Sequence, residues 1–316
     1  MITHKVIIIM STYNGERFIK QQLESLLNQT YPSDIIIRDD GSNDNTVSIL
    51  HDYASRHSCI HLYKDKREHK GVRESYFILL KEAMHYSPEF ICYADQDDIW
   101  FHDKTEKLLH KLLITETKLP ALVFSDVEVV DETLTLIHPS FSELQQLDNF
   151  AEITLKKLLF YCPALGCTMM LNKPLFKLID SMPDYGKSLN HDKWALILAS
   201  ITGKIVYLPE PTVKYRQHPA NTIGALLGIK RKIWTFKNVK FLKMRYQAAL
   251  HQAQDMSKIP FLSAEEKRLL AQFTKLFTGK YFYRFNYYLN FISTPPNWKR
   301  KCGLALSLFF SFSIQE

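Results

Sequence analysis

Along the first part of the chain, short runs of β-branched and aromatic residues alternate with longer stretches whose apolar side chains recur every three or four positions. Residues 6–10, 35–37, 59–63 and 90–94 read as strands, and residues 16–28, 46–56 and 71–85 between them read as helices. Strands that are apolar on both faces and joined through helices predict an α/β fold. The sheet should be Rossmann-like and mostly parallel, with helices on both sides and right-handed crossovers. Further strands are predicted at 121–124, 126–130, 168–171 and 205–208, and helices at 103–117 and 192–202. After Thr222 the strand pattern stops. Good helix formers fill residues 229–256 and 264–290, Pro295 and Pro296 break the second stretch, and a last apolar run spans 304–314. That run falls well short of the roughly 20 residues a membrane-spanning helix needs. The pattern divides the chain into an α/β domain over 1–222 and a helical region over 223–316.

With 316 residues, 46% of them hydrophobic, the chain is too long for a disulfide-stapled module and too apolar for a disordered one. Its cysteines (Cys59, Cys92, Cys162, Cys167 and Cys302) are odd in number, and the closest pair lacks the spacing of a zinc or redox motif. Reduced thiols in a cytosolic protein are the expectation. The run at 6–10 is shorter than a signal-peptide core, so secretion is not expected. A net charge of +7 suggests a partner of opposite sign, but the charge is unevenly spread. Residues 1–222 carry 24 basic and 29 acidic side chains, a net of −5, whereas residues 223–316 carry 16 and 4, a net of +12.

Ligands of open parallel sheets gather at the carboxyl ends of the strands, and two acidic clusters fall there. The first, Asp39-Asp40-Gly41-Ser42-Asn43-Asp44-Asn45-Thr46, follows the strand at 35–37. Asp40 can accept the ring N–H of a uracil or thymine, Gly41 lets the backbone turn, and Asp44 and Thr46 suit a helix cap. The second, Asp95-Gln96-Asp97-Asp98, follows the strand at 90–94. Three carboxylates so close repel one another unless a cation compensates, and oxygen ligands suit Mg²⁺ or Mn²⁺. A capping turn and a solvated acidic turn are the bland alternatives, and each explains an isolated charge better than a cluster.

Together with Ser11-Thr12-Tyr13-Asn14 after the first strand and Ser25-Leu26-Leu27-Asn28-Gln29-Thr30 closing the first helix, these clusters resemble the motifs of the family-2 inverting glycosyltransferases of the A-type fold, over roughly residues 4–222. The resemblance implies that Thr12 and Asp40 hold the base of a nucleotide-diphospho-sugar, with Tyr13 and Glu16 lining its pocket. Asp95 and Asp97 would be the metal-binding pair, Asp97 the direct ligand. His191-Asp192-Lys193-Trp194 looks like the family's base motif, which assigns to Asp192 the proton from the acceptor hydroxyl. Tyr215-Arg216-Gln217-His218 is similar to the tetrad closing the catalytic region of rhamnosyltransferase-like members. An arginine there, Arg216, can grip a diphosphate with two parallel hydrogen bonds, and the imidazole of His218 can ligate the metal. Arg73 would face the nucleotide, although relatives often carry Asn where Ser75 stands. Gly166 lies in a loop that in relatives faces sugar and acceptor, and Cys167 is read as a packing residue, since inversion needs no covalent intermediate.

In the tail, Lys230-Arg231-Lys232 stands beside Trp234, and Tyr281 to Phe285 and Trp298-Lys299-Arg300-Lys301 repeat the association of aromatic with basic side chains. Such segments suit a peripheral contact with anionic lipid, and residues 304–314 could lie flat in the interface. Alternatively these aromatics pack helix on helix or join two copies of the chain. Nucleic acid is not an expected partner, for want of a binding motif. The whole reads as a metal-dependent inverting glycosyltransferase at the cytoplasmic face of the cell membrane, acting on a lipid-linked oligosaccharide of bacterial surface polysaccharide. dTDP-L-rhamnose is the expected donor, and UDP-sugars are the alternative because uracil and thymine present the same edge to Asp40. A nucleotidyltransferase or dehydrogenase would need a glycine-rich phosphate loop that Ser11 to Glu16 does not supply. A catalytically silent partner protein is the rival from another class.

Overall fold

The computed structural model describes residues 4–65, 68–115, 118–147, 150, 152–182, 189–219, 247–278, 287–291 and 293–295. The chain forms two compact units. One comprises Met1–Gln145, Ala164–Pro183 and Asn190–Thr222, and the other Gln146–Pro163, Asp184–Leu189 and Ile223–Glu316.

The first unit is built on a mixed sheet. β1 (Val6–Thr12), α1 (Ile19–Leu27), β2 (Asp34–Asp39), α2 (Thr46–Arg56), β3 (Ile60–Leu62), α3 (Val72–Met84) and β4 (Phe90–Ala94) follow the predicted alternation. β5 (Ile99–Trp100), α4 (Lys104–Leu113), β6 (Ala121–Val130), β7 (Leu136–His138), α5 (Phe141–Leu144), β8 (Met169–Asn172), α7 (Lys173–Asp180), α8 (His191–Thr202) and β9 (Lys204–Arg216) complete it, while α6 (Leu155–Leu158) belongs to the second unit. The strand order is β3-β2-β1-β4-β8-β6-β9-β5, with β7 on β6. β1 pairs in parallel with β2 and β4, and its Ile7 to Met10 are wholly buried, as a strand covered on both faces must be.

The sheet departs from the prediction at β8, which runs antiparallel to both β4 and β6. Its approach from β6 carries only short helices and a 3₁₀ turn over Gly166–Thr168, and without a long crossover helix a strand returns antiparallel. The strands predicted at 121–124 and 126–130 are one strand whose register against β9 shifts around Asp126. β9 is far longer than 205–208: Leu208 pairs with Ser125 and Pro211 with Asp126, so Pro209 and Glu210 bulge out where a missing N–H costs no ladder bond. Helix α1 starts at Ile19 rather than Glu16 because residues 15–18 turn on the carbonyl of Gly15. Helix α7 was not predicted, although Asn172 caps it, Pro174 sits in its first turn, and Leu175, Phe176 and Ile179 are buried.

In the second unit a helix over Ala264–Thr278 opens with a capping box. Ser263 Oγ accepts from Glu266 N at 3.2 Å, and Glu266 Oε2 accepts from Ser263 N at 2.7 Å. Phe160, Phe273 and Phe291 pack edge to face or tilted with centroids 5.3–5.7 Å apart, so these aromatics form an interior. The basic clusters at 230–232, 281–285 and 298–301 and the run at 304–314 lie outside the described residues. Among the described residues no helix is long and apolar enough to cross a membrane, and Cys59, Cys92 and Cys167 are free thiols.

Candidate active site

Parallel pairing of β1 with β2 and β4 brings Thr12 level with Asp39 and carries both acidic loops to one edge of the sheet. Asp39 is the turn's own ligand: its carboxylate accepts Thr12 Oγ1 at 3.2 Å and the amides of Gly41 and Ser42 at 3.2 and 3.0 Å. Thr12 is thereby buried on Asp39. Asp40, 2% exposed, turns the other way. It accepts from Arg38 Nη1 at 2.5 Å and from the amides of Lys70 and Gly71 at 2.8 Å each. Burial alone pushes its carboxyl up, but the guanidinium and the two amides outweigh that and hold it below its ordinary value. Arg38, wholly buried, also donates to Asp65 at 2.8 Å, to the Glu68 carbonyl at 3.0 Å and to Ser75 Oγ at 2.6 Å. Ser75, the departure from the family pattern, is thus the acceptor that fits this arginine.

Tyr13, 41% exposed, is fixed through its backbone: Gln96 accepts from its amide at 2.9 Å and donates to its carbonyl at 3.0 Å. Gly15 must be glycine for this clamp, since a Cβ there would lie 2.3 Å from Gln96 Oε1. Glu16 accepts from the backbone and side-chain nitrogens of Asn45 at 2.9 and 2.8 Å, tying the first loop to the start of α2. Arg73 lies along α3 over Phe77, 4.7 Å from the ring, with Nε and Nη2 buried and unpartnered.

At the second loop Asp97 Oδ2 meets His218 Nε2 at 2.7 Å, and the His218 ring lies tilted against Phe18. Two of the three predicted metal ligands, 121 residues apart in sequence, therefore come together. Asp95 accepts from Tyr76 Oη at 3.0 Å. Asp98 is wholly buried, with one oxygen on the Arg216 amide at 3.1 Å and the other unpartnered. Burial, and then the neighbouring carboxylates, raise the pKa of both Asp95 and Asp98. Cys167 converges on the same point, but burial and both aspartates keep its thiol protonated, which suits packing rather than ligation of a hard ion. Beneath lies Lys104, wholly buried, 3.1 Å from the centroid of the Trp100 ring and donating to the Cys167 carbonyl; burial pushes its pKa down to about 7.

Arg216 departs from expectation. Its guanidinium donates to the carbonyls of Asp97 at 2.8 Å and Glu132 at 2.6 Å and to Gln21 at 2.7 Å, and the residue is 1% exposed. It braces the acidic loop from behind rather than presenting a fork to a diphosphate.

Asp192 stands in the first turn of α8, 7% exposed, accepting from the Lys193 amide at 2.6 Å, and burial raises its pKa. Beside it His191 stacks on Tyr76 at 3.7 Å, edge-on to Tyr93. Both its ring nitrogens are buried and unpartnered, and burial drops its pKa to about 3, so the ring is neutral. Gly166 faces this ring: a Cβ there would lie 2.8 Å from His191 Nε2 and 3.6 Å from Asp192 Cβ. Sequence reasoning reached the acids but not Arg38, Gln96, Lys104 or His191, whose roles come from contacts between distant segments.

The chain is similar to proteins of known family. The sequence model of Glycosyl transferase family 2 matches residues 7–178. The chain is 28% identical over 231 residues to the dTDP-rhamnosyl transferase RfbG of Shigella flexneri, covering 71% of this chain and 76% of that one. It is 30% identical over 177 residues to the UDP-Glc:alpha-D-GlcNAc-diphosphoundecaprenol beta-1,3-glucosyltransferase WfgD of Escherichia coli, covering 55% and 63%. In structure it is similar to S. aureus TarS 1–349 in complex with UDP, with a TM-score of 0.57 at 18% identity, over 95% of this chain and 83% of that one. This likeness identifies the fold as the A-type glycosyltransferase fold followed by a helical C-terminal region.

Proposed function

The chain belongs to glycosyl transferase family 2, and from that premise we propose that it transfers L-rhamnose, with inversion, from dTDP-L-rhamnose to a hydroxyl of a lipid-linked oligosaccharide at the inner face of a bacterial membrane. One observation carries the reading: the ends of β2 and β4 and the start of α8 each present an acid suited to a different part of that reaction, Asp40 for the base, the Asp95–Asp98 loop for the diphosphate end and Asp192 for the acceptor. The likeness to RfbG supports the donor. The likeness to WfgD supports a diphosphate-linked lipid acceptor and makes a UDP-hexose the second reading of the donor.

Asp97 and His218, 2.7 Å apart, and the carboxylate of Asp95 are donor types that a hard divalent cation, Mg²⁺ or Mn²⁺, takes, and Asp98 beside them keeps one buried oxygen unpartnered. When bound, such an ion neutralises the departing diphosphate. The chain does the rest. Asp40, kept ionised by Arg38, accepts the base N–H, Tyr13 offers a ring face, and Thr12 supports the turn below. Arg73 keeps two buried nitrogens, Nε and Nη2, unpartnered, and these are its donors for the nucleotide. Asp192 takes the proton as the acceptor hydroxyl attacks; a carboxylate with raised pKa is the stronger base. Gly166 leaves room on the sugar side, and Arg216 holds the acidic loop in place.

The test is turnover of purified protein with dTDP-rhamnose, UDP-glucose and UDP-galactose in Mg²⁺ or Mn²⁺, with the product anomer read by NMR. Rhamnosyl transfer with inversion, abolished by chelator, is expected. Brisk UDP-sugar turnover without dTDP-rhamnose turnover overturns the donor, and a retained anomer overturns the role of Asp192.

A further inference from the structure

Asp40 has little room left for the contact proposed above. Its Oδ1 accepts from Arg38 Nη1 and the Lys70 amide, and its Oδ2 accepts from the Gly71 amide. His69 Nδ1 lies 3.0 Å from that same Oδ2 and 3.3 Å from the Asp40 carbonyl oxygen. With only acceptors before it, this nitrogen carries the proton. The ring N–H is hydrogen-bonded to the Asp40 carbonyl, and with Nδ1 only 3.0 Å from Oδ2 the imidazole fills the approach that a base N–H needs. The His69 ring also lies against Tyr13, with centroids 4.4 Å apart, a separation that admits no third ring.

The imidazole thus occupies both places expected of a pyrimidine, with a ring nitrogen 3.0 Å from Asp40 Oδ2 and the ring against Tyr13, tilted by 42°. It is also the group most easily moved. Arg38 is wholly buried and the other donors are backbone amides, whereas the His69 side chain is 59% exposed. We propose that His69 stands in the nucleobase's place in the ligand-free chain and leaves it when a pyrimidine nucleotide binds. The inference rests on Asp40 as the base acceptor. It adds a residue outside the recognisable motifs that sets nucleotide affinity by competing for the site.

Removing the competitor removes a hydrogen bond worth about 0.5–1.5 kcal/mol that binding must otherwise break, so affinity should rise by about 2- to 10-fold. The experiment is calorimetric titration of the full chain and of His69→Ala with UDP, dTDP and N3-methyl-UDP, which lacks the ring N–H. The inference expects His69→Ala to bind UDP or dTDP several-fold more tightly, with N3-methyl-UDP strongly disfavoured by both proteins. Unchanged or weaker binding by His69→Ala, with the N3-methyl penalty intact, overturns the role of His69 and leaves that of Asp40 standing. N3-methyl-UDP binding as well as UDP, or no nucleotide binding by either protein, overturns the Asp40 reading and this inference with it.

Discussion

Asp192 illustrates how a residue's burial separates its stability from its activity. Its carboxyl is raised by desolvation, so the folded chain binds its proton more tightly than the unfolded chain does. Between the two pKa values the native state holds more protons, and stability falls as pH rises from the unfolded value of about 4 through the folded one. Asp192→Asn removes that penalty. Its melting temperature is expected to exceed that of the wild type at neutral pH by more than at pH about 4, while kcat drops by about 100-fold or more with donor affinity retained. Scanning fluorimetry across pH and initial-rate kinetics check the two halves, and wild-type turnover by the variant removes Asp192 from the base role. Gly166 makes the complementary case. A methyl there must push on His191, which Tyr76 and Tyr93 hold in place, so Gly166→Ala is expected to cost about 1–3 kcal/mol on a urea melt and to lower kcat more than it raises KM. The acids of this site were legible because Asp40 and the Asp95–Asp98 cluster each follow a strand and Asp192 opens a helix within a short motif. His191 and Gly166 acquire their tight fit only when α8 and the turn before β8 meet, and no local pattern announces it.

At the scale of elements, polar residues inside apolar runs mark where prediction and fold part company. Arg38 follows three consecutive isoleucines in β2, and the fold buries it to tie β2 to Asp40, Asp65, the Glu68 carbonyl and the start of α3. Breaking such a pair from one side leaves buried carboxylates uncompensated. Arg38→Met is therefore expected to cost about 3–5 kcal/mol, measured by urea denaturation, and to abolish nucleotide binding. Asp126 plays a similar part in β6. Its carboxylate accepts from the amides of Val127, Phe141 and Ser142 at 2.8, 3.1 and 3.2 Å and from the hydroxyls of Ser140 and Ser142 at 2.5 and 2.6 Å. These bonds satisfy the strand's irregular point, so one element continues where the sequence pattern suggests two. The β1 to β4 half was readable because its apolar runs are unbroken and its connections are helices. In the β6 to β9 half the strands and α8 were readable but their extents and pairing were not, because bulges, prolines and an antiparallel insertion depend on partners far along the chain.

Over the whole molecule the charge of +7 resolves into a catalytic part of −5 and a tail of +12. An acidic catalytic part calls for a cation to bring in a nucleotide diphosphate, and a basic, aromatic tail calls for something anionic outside the site. The described aromatics of the second unit complicate a simple membrane reading, since Phe273, Phe277 and Phe291 are buried among themselves. What remains for lipid is the set of basic clusters beside Trp234 and Trp298, and for these the expected effect is electrostatic. Each basic side chain near an anionic surface contributes about 1 kcal/mol, so replacing Lys230, Arg231 and Lys232 together by alanine should lower partitioning onto phosphatidylglycerol-rich vesicles by about 100-fold. The binding should also fade between about 0.1 M and 1 M salt, as the screening length shrinks from about 10 Å to about 3 Å. Vesicle sedimentation of the full chain measures both. Binding that ignores the substitutions and the salt assigns the tail to apolar insertion instead, and a chain that stays in the supernatant while its sedimentation coefficient doubles assigns the tail to self-association.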